Sequence, residues 1–275
     1  MWIYNSGGLK IWLILHVDDC LFFSNDMDKT LETLSRLNAV LKHDIKEGWA
    51  DWHLGVKIDQ TVNAKGRLTS VRLSQKGYME QICKANGIAT DKNIRFPKTP
   101  CSFSKLSKYD KDFTEYKDYV LSDAEWEKRS KFRSNVGAIL FLARSTMPTL
   151  SYAIGVLGRF GTNSWEPHWK EMEHLIKYIA GVKNTGMTYY HMAVAHSPIF
   201  GLSHWNEDCP NFIGYTDSDY AGCPDTSRST SGGVIWWMGA CVIWSANLQA
   251  CVTLSVSEAE LVALTRLCQD VIWFR

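Results

Sequence analysis

The constraint that bears hardest on this chain is a pair of adjacent acids, Asp18 and Asp19, at the tip of an apolar hairpin pattern. Leu9-Lys10-Ile11-Trp12-Leu13-Ile14-Leu15 runs into His16-Val17-Asp18-Asp19, and Leu21-Phe22-Phe23 follows. Two like charges beside a hydrophobic strand are costly unless a cation or a strong donor offsets them. A divalent-metal site for phosphate chemistry meets that need. An Asp-Asp turn that leaves its charges in water is the other reading, and these four residues alone leave both open.

At 275 residues the chain can bury substantial cores in one to three domains. No apolar run reaches the ~18 to 20 residues of a membrane span, because His16, Asp18 and Asp19 interrupt the stretch 9–23. A basic start and a small-residue cleavage site are missing, so no secretory leader is expected. Eight cysteines stand singly, with no Cys-x-x-Cys pair, which argues against zinc and fits reduced thiols. The expected location is intracellular, cytoplasmic or nuclear, with no membrane partner.

The net charge of +1 conceals an asymmetry. Residues 57–133 carry 17 Lys and Arg against 10 Asp and Glu, and residues 197–275 carry 3 against 8. A basic middle can follow a phosphate backbone and an acidic end can gather cations, although solvated faces of ordinary domains produce the same count.

Asn25 or Asp26 is placed to cap a helix with Met27, Leu31, Leu34, Leu37 and Leu41 on one face. Residues 52–58 and 68–73 alternate like strands around a turn at 63–66, and a helix over 74–86 stops at Gly87. Residues 91–121 are lysine-rich, contain Pro97 and Pro100, and read as a linker or tether. Ser122-Asp123-Ala124-Glu125 has capping-box spacing for a helix to about Arg144. Pro148 suits a helical first turn, and 165–180 reads as a further helix. A strand over 212–216, a hairpin over 234–245 and a helix over 256–274 complete the pattern.

The last segment suggests its own chemistry. An acid in a strand, Asp217, then a hairpin, then an acid on a helix, Glu260, brings two carboxylates to one metal pair if Leu261, Leu264 and Leu267 form the buried helix face. Asp219 shares the side of Asp217 by the two-residue period, as a second contributor to the site or, the favoured role, a structural acid beside it. His168 and His174, or His191 and His196, lack metal-ligand spacing with a suitable acid and read as surface or core histidines. Trp236, Trp237 and Trp244 suit a packed hairpin, with stacking on nucleic acid the minority reading.

Collinear blocks carry a family resemblance over nearly the whole chain. They are Leu13 to Asp19, His53-Leu54-Gly55-Val56-Lys57-Ile58, Leu73-Ser74-Gln75-Lys76-Gly77-Tyr78, Phe132 to Gly137 and Ser151 to Leu157. More specific are Gly214-Tyr215-Thr216-Asp217-Ser218-Asp219-Tyr220-Ala221-Gly222, Arg228 to Gly233 and Leu254-Ser255-Val256-Ser257-Glu258-Ala259-Glu260. The chain resembles the C-terminal part of the Pol polyprotein of copia-type LTR retrotransposons, reverse transcriptase followed by ribonuclease H.

That resemblance implies an α+β chain. A partial reverse-transcriptase palm and thumb would occupy residues 1–90, a basic linker 91–121 and a helical thumb or connection region 122–196. A truncated ribonuclease H-like α/β domain would occupy 197–275. It implies RNA-directed DNA synthesis and cleavage of the RNA strand of the hybrid, with an RNA template and an RNA/DNA hybrid as partners and Mg2+ as cofactor. Asp18, Asp19, Asp217 and Glu260 would be catalytic, with Asp18, Asp217 and Glu260 as metal ligands. Lys57, Arg67, Arg72, Lys76 and Lys84 would follow phosphates of the template-primer.

The chain also departs from the family pattern. His16 stands where Tyr is usual, and Thr146-Met147-Pro148-Thr149 where Thr-Arg-Pro-Asp is usual. Asp18 is the first acid, and Arg275 precedes the nuclease's later acids. The isolated chain is therefore expected to be inactive, and a catalytically dead nucleic-acid-binding or interaction protein is the alternative.

Overall fold

A computed structural model describes residues 2–17, 19–41, 48–90, 94–102, 106–107, 122–190, 212–237 and 240–274. The chain is α+β and divides into two compact units, Met1–Ile58 and Asp59–Arg275.

The first unit opens with an antiparallel sheet in the order β1 (Trp2–Ser6), β2 (Leu9–His16), β3 (Asp19–Ser24). Strand β1 has no counterpart in the sequence reading. Helix α1 (Met27–Leu41) packs against β3. Asp26 caps it, its Oδ1 accepting the Lys29 N–H at 3.2 Å. Asn25 instead staples the hairpin, accepting the Lys10 N–H and donating to the Gly8 carbonyl, both at 2.8 Å. Of the expected helix face Leu34 is buried, joined by Thr30, whereas Met27 and Leu31 remain exposed.

Residues 52–58 form a hairpin and not a single strand. β4 (Trp52–His53) turns back onto β5 (Val56–Val62) through Leu54 and Gly55, both in the left-handed region at φ 48° and 77°. Two successive positive φ values make the tight turn that matches strand twist. β6 (Leu68–Ser74) follows a turn in which the Asn63 side chain accepts the N–H groups of Lys65 and Arg67. β7 (Met187–Tyr190) then pairs antiparallel with β6, giving the sheet order β4-β5-β6-β7.

A helical layer holds the main core of the second unit. It comprises α2 (Lys76–Ala85), α3 (Asp123–Ser145), α4 (Ser151–Gly158) and α5 (Glu166–Val182). Pro148 opens a short 3-10 turn ahead of α4. Met79, Phe132, Ile139, Leu142, Leu150, Met172 and Leu175 are fully buried there. The expected capping box of α3 forms: Glu125 N–H donates to Ser122 Oγ, and Ser122 N–H donates to the Glu125 carboxylate. Ser122→Ala should cost about 1 kcal/mol, read as a lower urea midpoint with an unchanged denaturant slope.

The third sheet has the order β10-β9-β8, from β8 (Phe212–Asp219), β9 (Thr230–Trp237) and β10 (Ala240–Leu248). Helix α6 (Val256–Phe274) covers one face. Its buried residues are Ala259, Ala263 and Leu267, whereas Leu261 and Leu264 are exposed, contrary to the sequence reading. The sheet explains the difference. Gly214 and Gly233 leave a shallow groove that Leu267 fills, so a Cβ on Gly214 would stand 3.1 Å from Leu267, and small residues bring the helix down beside it. On the opposite face, Trp244 Nε1 donates to the Ala143 carbonyl at 2.6 Å and Gly155 approaches the Ala246 carbonyl. This sheet therefore lies between α6 and the helical layer.

Candidate functional site

The acidic hairpin is built by register. His16 pairs with Asp19, leaving a two-residue connection, and Val17 sits at φ 52°, a region β-branched residues rarely adopt. Its side chain is 83% exposed, so burial does not compensate the strain. Asp18 lies outside the described residues. Asp19, the first residue of β3, is exposed.

Around β8 the chain brings a helix carboxylate to a strand. Glu260 Oε1 accepts the Ser218 N–H at 3.2 Å and the Ser218 hydroxyl at 2.8 Å. Two donors fix the carboxylate against the strand. Because Gly214 faces α6, alternation puts Thr216 and Ser218 on the α6 side and Asp217 and Asp219 on the other. Glu260 thus reaches the residue next to Asp217 rather than Asp217 itself. Ser218 is the contact that sequence reasoning missed, although its place between two acids was visible.

Asp219 packs on the following loop, where its carboxylate leaves no room for a Cβ at Gly222. Burial first, then the Asp219 charge, raises the Tyr152 phenol above its ordinary value. Cys223, buried in that loop, has its thiol pushed up by burial, but hydrogen bonds from Thr226 and the Asp225 and Thr226 N–H groups outweigh this and lower it overall.

Asp217 and Glu260 supply oxygen donors, the type that suits Mg2+ with its retained waters. Among the described residues no three His, Cys, Asp or Glu gather at one point. The two carboxylates match Mg2+ in donor type, but they stand on opposite faces of β8 and, contrary to the sequence expectation, do not converge on one ion in this arrangement.

The five cations proposed to follow phosphates belong to β5, β6, α2 and the turn before β6. Lys57 lies in β5, and Arg67, Lys76 and Lys84 are exposed. Arg72 is half-buried and its guanidinium donates to the Asn184 carbonyl, so it also ties β6 to the turn leading into β7.

The histidines separate into structural roles. His168 is fully buried, stacks on Phe160 at 4.0 Å, accepts the Trp165 N–H at Nδ1, and places Nε2 3.1 Å from the Ser107 carbonyl. These partners assign the proton to Nε2. His174 meets the Thr99 carbonyl at 3.0 Å, and His191 and His196 lie outside the described residues. Trp236 and Trp237 are each about 40% exposed, while Trp244 is held by its bond to Ala143.

Over 267 residues, 96% of this chain, it is 28% identical to the retrovirus-related Pol polyprotein from transposon TNT 1-94 of Nicotiana tabacum, of which it covers 18%. It is 26% identical over 276 residues to that from transposon RE1 of Arabidopsis thaliana, covering 99% of this chain and 16% of the polyprotein. The similarity bears out the resemblance to Pol polyproteins of copia-type retrotransposons. The chain spans less than a fifth of the length of these Pol relatives. It is also 31% identical over 146 residues to secreted RxLR effector protein 161 of Plasmopara viticola, covering 53% of this chain and 92% of the effector. No protein-family model matches it, and no solved structure does. No helix among the described residues is long and apolar enough to cross a membrane.

Proposed function

We propose that this chain is the reverse transcriptase and ribonuclease H portion of a retrotransposon Pol polyprotein, serving RNA-directed DNA synthesis and removal of RNA from the resulting hybrid. The observation that carries the reading is the similarity of nearly the whole chain to retrotransposon Pol polyproteins, with Glu260 of α6 held against Ser218 in the strand that also carries Asp217. The strained turn at Val17 supports it, since strain persists where the surroundings or the chemistry require it.

In this reading residues 1–90 are palm and thumb, 91–121 a basic linker, 122–196 the helical thumb or connection region and 197–275 the ribonuclease H-like domain. Asp18, supported by Asp19, serves the polymerase, and Asp217 and Glu260 serve the nuclease. Asp18, Asp217 and Glu260 would each offer oxygen donors to Mg2+, which when bound activates the attacking oxygen and stabilises the leaving one; Asp217 and Glu260, on opposite faces of β8, would not share one ion without a shift of the strand. Ser218 orients Glu260 through its N–H and hydroxyl. Lys57, Arg67, Arg72, Lys76 and Lys84 contribute charge along the template-primer.

The test is binding and turnover on a labelled RNA/DNA hybrid. The chain should bind with affinity that falls steeply with salt, by roughly 10-fold or more between 50 and 200 mM for a handful of phosphate contacts. Any primer extension with Mg2+ should vanish in Asp18→Ala, and any hybrid cleavage in Asp217→Ala. Absence of hybrid binding at low salt sinks the reading.

A further inference from the structure

The loop between β8 and β9 is strained. Among the described residues, non-glycine backbone with positive φ occurs there twice, at Ala221 (50°) and Ser227 (53°). Such strain persists only where the surroundings over-determine it. Part of the restraint is local. The buried Ser229 hydroxyl accepts the Ala221 N–H at 3.1 Å and lies 3.1 Å from the Thr253 hydroxyl. Cys223 N–H donates to the Arg228 carbonyl, and Ser227 N–H donates to the Cys223 carbonyl.

Another restraint comes from far away in the chain. The Ser107 hydroxyl donates to Asp225 Oδ1 at 2.7 Å, joining residues 118 positions apart. Ser107 is firmly anchored. Its neighbour Leu106 is buried in the core cluster of the helical layer, and its carbonyl meets Nε2 of the fully buried His168. The preceding segment lies along α5, with Phe96 against Gly181, the Thr99 carbonyl at His174 and the Ser102 N–H donating to Glu171. By contrast, residues 224–227 at the tip of the loop are exposed. One end of this hydrogen bond therefore belongs to the core and the other to a loop that could relax.

Asp225 passes the restraint inward. Its backbone N–H donates to the buried Cys223 thiol. Next to Cys223 is Gly222, on which the Asp219 carboxylate packs too closely to admit a Cβ. A continuous set of contacts thus runs from the helical layer through Ser107, Asp225, Cys223 and Gly222 to Asp219.

We propose that the Ser107–Asp225 hydrogen bond is a clamp through which the helical layer sets the conformation of the β8–β9 loop, making Ser107 and Asp225 positioning residues for Asp219 at the acidic end of β8. While the clamp is closed, the Cys223 thiol is shielded and Asp219 rests on Gly222. When it breaks, the loop relaxes and the thiol becomes reachable. The relevance of Asp219 to hybrid cleavage rests on the function proposed above, whereas the clamp itself does not.

The test is native-state iodoacetamide labelling of the full chain, with the occupancy of each cysteine read by mass spectrometry. In Ser107→Ala and in Asp225→Ala, Cys223 should label about fivefold faster than in wild type, the order expected for losing a partly exposed hydrogen bond to a carboxylate. The double variant should label no faster than either single one, because both remove the same bond. Ser107→Thr, which keeps the hydroxyl, should return the wild-type rate. Cys83 and Cys241, buried elsewhere, should keep their rates in every variant, which separates loop opening from a general loss of stability.

Cys223 labelling within about twofold of wild type in both single variants overturns the clamp. So does an equal acceleration at Cys83 and Cys241, or a double variant in which the two effects multiply. Wild-type labelling of Cys223 as fast as that of the exposed Cys251 overturns it as well. A chain with the expected labelling pattern that binds no hybrid keeps the clamp and loses the nuclease reading, and the reverse result loses the clamp alone.

Discussion

Phe132→Ala should come close to unfolding the helical layer. The ring is fully buried in the cluster formed by α2 to α5, and it meets Trp169 edge-on at 5.3 Å. Truncating a buried Phe removes the transfer free energy of the ring and leaves a cavity, together about 3 to 5 kcal/mol. Set against the ~5 to 15 kcal/mol that holds an ordinary domain together, that loss is a large fraction. Partial collapse would lower the cost, but neighbours drawn from several helices do not move inward together. Urea denaturation followed by far-UV circular dichroism measures it. A loss below about 1 kcal/mol would mean that the site collapses freely and that Phe132 is not central to the core.

The second large effect concerns pH. Burial holds the His168 imidazole well below its ordinary 6.5, at about 4, with the Ser107 carbonyl and the Asp225 charge opposing that change only in part. Between these values the unfolded chain binds a proton that the folded chain refuses, so stability rises with pH across that window. Stability from this group is complete above pH 6.5 and is lost as pH falls toward 4. The difference is about 3 kcal/mol at roughly 1.4 kcal/mol per pKa unit. Carboxylates also titrate near the lower end of the window, so the comparison is with His168→Gln. That variant should start less stable at pH 7.5 and lose less on going to pH 4.5. Parallel pH profiles for the two proteins would show that His168 does not control the transition.

Local features were the most legible part of the sequence. The Ser122 to Glu125 spacing, the Asn63 turn and the stop at Gly87 each depend on a few neighbouring residues, and each appears in the structure. Contacts that depend on distant residues were harder to read. The buried side of α6 is not the one that Leu261 and Leu264 suggest, because Gly214 and Gly233 in the sheet favour close approach by Ala259 and Ala263. The hairpin at Leu54 and Gly55 was hidden inside an alternating pattern, since leucine carries no signal for a positive φ. At the candidate site, the acids were visible by type and spacing, and the hydroxyl of Ser218 was not. Nothing in a sequence indicates that a serine between two aspartates will turn toward a helix more than forty residues later.

Strand β7 completes a sheet whose other members end more than a hundred residues earlier, and Arg72 is tied to Asn184 across the same gap. On a ribosome, β6 emerges long before its partner exists. Its hydrogen-bonding edge must wait until the whole helical layer has been synthesised, and closing so long a loop slows folding more than it weakens the final state. During that interval the edge is open to any other extended chain nearby. Translation speed over residues 75–186 therefore sets how long the nascent protein is exposed to mispairing.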